Sequence, residues 1–76
     1  MAKKVQFQFG NETYEIFTNG KEYGAAKTLY LSYNRKGGSH ASKGAYSVRD
    51  EQFTQHGGGI ELQILKAGAA ALGIIE

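Results

Sequence analysis

No cysteine occurs in the chain, so disulfides, thiolate metal sites and cysteine nucleophiles are all excluded. That absence fits a reducing compartment, and a cytoplasmic setting is the expectation. Histidine is scarce: His40 and His56 alone cannot furnish an all-histidine metal centre, and no metal site or cofactor is expected. Long apolar runs are missing as well. The longest, Ala67 to Ile75, falls far short of the roughly 20 residues that a membrane span requires. Met1-Ala2-Lys3-Lys4 leads into alternating Val-Gln-Phe-Gln-Phe, which does not match the apolar run of a signal peptide, so no membrane association is expected.

Acid is absent between Glu22 and Asp50, whereas Lys27, Arg35, Lys36, Lys43 and Arg49 all fall there. The acids Glu12, Glu15, Glu51, Glu61 and Glu76 lie to either side. A basic middle of this kind suits an anion-binding surface. Its densest part is "NRKGGSHASKG", Asn34 to Gly44, which contains no acid and nothing apolar larger than alanine. A phosphate-binding P-loop needs Gly, four residues, then Gly-Lys-Ser/Thr. Here Ser42 stands where the second glycine belongs and Gly44 where the hydroxyl belongs, so that reading fails. "GGSHA" at 37–41 and "HGGG" at 56–59 approach the nucleophile and oxyanion elements of hydrolases. They lack the strand-to-helix turn, the remaining triad members and a sheet large enough to carry them. No catalytic residues are assigned, and the chain is expected not to be an enzyme.

The 76 residues are read as one domain, 1–76, whose core can supply only a few kcal/mol of net stability. Val5, Phe7 and Phe9 alternate with glutamines, and Thr13 to Phe17 alternates again after Gly10-Asn11, which predicts a hairpin. Thr18-Asn19-Gly20-Lys21 is a second turn cluster. Leu29, Leu31 and Tyr33 then face inward and Thr28, Tyr30 and Ser32 outward, with Tyr46 and Val48 inward on a strand after the basic loop. From Ile60 onward, Leu, Gln, Lys, Glu and alanine favour a helix over the alternative strand, and Gly73-Ile74 resembles a glycine C-cap. The expected fold is α+β: a small antiparallel sheet of about four strands with one C-terminal helix packed on one face. Ile60, Ile64, Ala67 and Ala71 are expected to face the sheet. Leu62, Leu65, Ala69 and Leu72 would then form an exposed stripe for self-association, and a homo-oligomer is expected.

Function follows by elimination: a small non-enzymatic protein acting through protein–protein contact, as a regulator, inhibitor or assembly subunit. The alternative is a module that binds nucleic acid or nucleotide phosphate through the basic Gly/Ser-rich hairpin loop. Arg35, Lys36, Lys43 and Arg49 would contact phosphate and Tyr30 would stack. Gly57 to Gly59 offers a further anion site at the helix start, with Glu61 placed to compete for it.

Overall fold

A computed structural model describes residues 3–75; Glu76, counted among the flanking acids, lies outside them. Five strands precede one helix: β1 (Lys3–Phe9), β2 (Glu12–Thr18), β3 (Thr28–Arg35), β4 (Ser42–Ser47), β5 (Gln52–Gln55) and α1 (Gly59–Leu72). The strands form one antiparallel meander in sequence order. The α+β fold matches the expectation, with one strand more than the four foreseen. β5 escaped because Gln-Phe-Thr-Gln offers a single apolar side chain, too little for an alternation to register.

Turn chemistry sets the register. Gly10 takes a φ of 63° between Phe9 and Glu12, the sign pattern of a hairpin whose first central residue is left-handed. The basic loop is shorter than the sequence implied, because β3 runs to Arg35 and β4 resumes at Ser42. Lys36 N–H donates to Thr13 O at 2.8 Å and Gly38 N–H to Arg35 O at 2.7 Å, so the loop leaves β3 through a closed turn.

The core lies between the sheet and α1. Ile16, Leu31, Tyr33 and Tyr46 from the sheet meet Ile64, Leu65 and Leu72 from the helix. Here the expected helix orientation is overturned. Leu65, Ala69 and Leu72 are buried against the sheet, together with Ile64 and Gly68. Leu62 is half-buried, Ala71 is exposed and Ile60 is 60% exposed. The stripe assigned to self-association is therefore mostly core. Two physical causes decide the face. Leucine side chains bury more apolar area than alanines, and Gly68 lets the helix sit close. A Cβ at Gly68 would stand 2.6 Å from Ile16 Cδ1 and 3.0 Å from Phe7 Cε1. Gly44 does the same from the sheet side, since a Cβ there would collide with the Leu65 side chain.

The helix ends are fixed by backbone. Gly73 adopts a φ of 85°, and the N–H groups of Gly73 and Ile74 donate to Ala70 O and Ala69 O, each at 3.0 Å. This is the glycine cap that the sequence predicted. Lys3 Nζ donates to Leu72 O at 2.9 Å, placing a cation at the negative end of the helix. At the other end the Glu61 carboxylate stands over Gly57, where any Cβ would collide with it. The space beside the helix start, considered for an anion, thus already holds a carboxylate. Tyr33 OH donates to Glu61 O at 3.3 Å, and burial raises the Tyr33 phenol above its ordinary pKa.

Candidate nucleic-acid interface

Because the helix covers one face of the meander, the other face is open, and strand alternation decides what it carries. Lys4, Gln6 and Gln8 of β1 point there, as do Thr13, Glu15 and Phe17 of β2 and Tyr30, Ser32 and Asn34 of β3, with Lys43 of β4. Register then aligns side chains that are far apart in sequence. Lys4 pairs with Phe17, Phe17 with Ser32, and Ser32 with Lys43, forming one row across four strands. An aromatic ring and a hydroxyl stand in the middle of the row, and an ammonium at each end.

Tyr30 lies beside this row, two residues before Ser32 and on the same face. Phe17 is 42% and Tyr30 46% exposed, unusual for aromatic side chains in the middle of a sheet. A third ring arrives from the β2–β3 connection. Tyr23 stacks at a tilt on Tyr30, with ring centroids 5.3 Å apart, and is itself 42% exposed. Its backbone is held by paired 2.9 Å hydrogen bonds to Thr28, and its hydroxyl accepts from Asn19 Nδ2 at 3.1 Å. The same connection covers the far end of the face. Ser47 Oγ lies 3.2 Å from both Ala26 O and Asp50 Oδ2, and Ala45 and Ser47 are fully buried.

Two shallow depressions flank Phe17. One, of about 180 Å³, is lined by Asn19, Tyr30 and Lys43; the other, of about 210 Å³, by Lys4, Glu15 and Asn34. Both share Phe17 and Ser32. Lys4 is partly neutralised by Glu15 at 3.8 Å, while Lys43 makes no ion pair among the described residues. Flat aromatic surface, side-chain amides and a free ammonium are the components that hold an unstacked base and its phosphate.

Of the five residues expected to contact phosphate or base, the structure brings together Tyr30 and Lys43. Arg35 points to the helix side of the sheet, 4.0 Å from Glu12, and borders a depression with Tyr14 and Gly37 to His40. Lys36 sits at the start of the loop, and Arg49 lies beyond β4. Arg49 Nε donates to Asp50 Oδ1 at 3.0 Å, which holds the Asp50 carboxyl below its ordinary pKa. Sequence reasoning missed Phe17, Tyr23 and Lys4. The signal for Phe17 was present: with Tyr14 and Ile16 both inward, Phe17 shares the outward parity of Glu15.

His40 and His56 are both exposed and lie at different connections. Among the described residues no group of three metal-ligating side chains clusters, and no helix is long and apolar enough to cross a membrane. Comparison with known protein families, curated proteins and solved structures finds no match to this chain.

Proposed function

We propose that this chain is a non-enzymatic binding module that takes single-stranded nucleic acid on the open face of its sheet. The observation that carries the reading is the exposure of Phe17, Tyr23 and Tyr30 on that face, in and beside the row that runs from Lys4 to Lys43. Bases stack on such rings for about 1–3 kcal/mol each, whatever their identity. A duplex hides those base faces, and a broad sheet face does not enter its major groove as a helix or two-stranded ribbon does. The row from Lys4 to Lys43 spans three strand spacings, about 14 Å, which suits a short tract whose backbone crosses the strands. The absence of cysteine is consistent with work in a reducing, cytoplasmic setting.

Fluorescence anisotropy with labelled single- and double-stranded oligonucleotides tests the reading. Single strands should bind more tightly than duplex. Neutralising two phosphates should give a shallow salt slope of about −1.4 in log K against log salt. Phe17→Ala or Tyr30→Ala should each weaken binding by about five-fold or more. Absence of binding at low salt, or binding indifferent to both substitutions, would refute the proposal. Protein–protein contact, the other function proposed for a chain of this composition, has support on the opposite side of the sheet, where apolar side chains are left half-covered beside β5.

A further inference from the structure

We infer that the groove between β5 and α1 receives a second copy of this chain, the two copies meeting groove to groove about a two-fold axis. The groove arises from where the helix lies. α1 packs chiefly over β1 and β2, leaving the inner side of β5 without a cover. The resulting space of about 550 Å³ has Tyr46, Phe53, Leu62 and Ile75 as its apolar lining and Glu51, Gln52, His56 and Lys66 as its polar lining. Phe53, Leu62 and Ile75 are each half-buried, so the core is unfinished on this side.

Charge identifies the occupant. Glu51 and Lys66 border one groove, yet neither takes part in an ion pair among the described residues. A surface that carries one acid and one base beside an apolar strip is complementary to itself. Under a two-fold axis Glu51 of each copy faces Lys66 of the other, and the two apolar strips close on one another. A strongly acidic or basic segment of a different protein would meet a like charge at one edge. Size is compatible as well: about 800 Å² per partner, typical of a stable interface, is roughly one sixth of the 4927 Å² protomer surface. β5 ends the sheet, so no further strand obstructs the approach. The face bearing Phe17 and Tyr30 is on the other side of the sheet and stays free.

Light scattering behind size exclusion, over a range of micromolar concentrations, tests the inference with no nucleic acid present. The expected mass is twice the 8.3 kDa of the chain. Glu51→Lys and Lys66→Glu should each raise the dimer dissociation constant about ten-fold or more by setting like charges opposite one another. The Glu51→Lys/Lys66→Glu double variant should recover the dimer, a rescue that general loss of stability would not produce. A monomer at all concentrations overturns the inference. So does a dimer that ignores both reversals, or a double variant no better than either single one. A monomer that takes up an apolar dye in this groove would assign it to a different occupant, and that too is a refutation.

Discussion

Replacing Gly44 by alanine adds one methyl group at a close contact between sheet and helix. Two effects oppose each other. Alanine restricts the unfolded chain more than glycine does, which stabilises a strand position by about 0.5–1 kcal/mol. Against this, the new Cβ would collide with the Leu65 side chain and stand 3.1 Å from Gln55 O. Leu65 has no exposed surface into which it can retreat, and Gln55 O belongs to the backbone of the neighbouring strand. Overpacking costs about 1–3 kcal/mol, and contact with both a side chain and a backbone oxygen puts this case in the upper part of that range, so the clash wins and the net loss is about 1–2 kcal/mol. For a domain of this size that corresponds to a fall of about 4–15 °C in Tm. Urea unfolding followed by circular dichroism would measure it as a lower midpoint with an unchanged slope. The mechanism makes a stricter demand. Leu65→Ala alone should cost about 2–5 kcal/mol through the cavity it opens. In Gly44→Ala/Leu65→Ala the new methyl enters that cavity, so the double variant should be more stable than the summed losses imply, by about 1 kcal/mol. Additive losses, or a Gly44→Ala variant as stable as the parent, would show that the close approach at Gly44 does not limit the packing.

Lys43→Ala should weaken single-strand binding and reduce the magnitude of the salt slope by about 0.7, whereas Arg49→Ala should leave both unchanged, because Arg49 is paired with Asp50 beyond the end of β4; equal effects in anisotropy titrations would move the site toward the β4–β5 turn. Burial raises the Tyr33 pKa, so above pH of about 10 the unfolded chain holds fewer protons on that phenol than the folded chain does, and stability falls as pH rises through the folded value. Tyr33→Phe should flatten that alkaline decline in urea midpoints, and an unchanged pH profile would remove Tyr33 as its source.

How much of this could be read from the chain depended on whether a side chain's position was set locally. The β1–β2 hairpin was legible because Val5, Phe7 and Phe9 share one parity and Gly10 closes the turn by itself. The glycine cap at Gly73 was legible for the same reason, as its hydrogen bonds span only a few residues. The helix orientation was not local. Ile60, Ile64, Ala67 and Ala71 and the leucine stripe both satisfy helical spacing. The larger apolar area of the leucines, together with the fit of Gly68 against Ile16 and Phe7 and of Leu65 against Gly44, selects between them. The site was half legible. Tyr30 and Lys43 could be named from outward parity and charge, but the register that aligns Lys4, Phe17, Ser32 and Lys43 comes from three separate strand pairings. Arg35 and Arg49 were drawn in by charge alone. Each has a carboxylate within reach, Glu12 and Asp50, that a count of cations does not reveal.

The orientation of the helix also decides where unsatisfied apolar surface remains, and so where function can lie. With Leu65 and Leu72 outward, the helix itself would have been the adhesive surface and the sheet a passive support. With both buried, and apart from the single side chain of Ile60, two other places among the described residues keep exposed apolar area. One is the β5 side of the inner face, where Phe53 is half-buried beside the groove. The other is the outer face, where Phe17, Tyr23 and Tyr30 stand in the open. A domain with only a few kcal/mol of stability gains nothing from leaving three aromatic rings in water. Their surroundings distinguish the two places. Tyr46, Phe53, Leu62 and Ile75 form an apolar strip in the inner groove with one acid and one base beside it, Glu51 and Lys66, which suits a second copy of the same surface. Lysines, side-chain amides and a serine surround the outer rings, which suits a ligand that is flat and apolar in one part and anionic in another. Nucleobases joined by phosphates have that division of character, which is why the proposed nucleic-acid site is placed on the outer face and the proposed protein contact on the inner one.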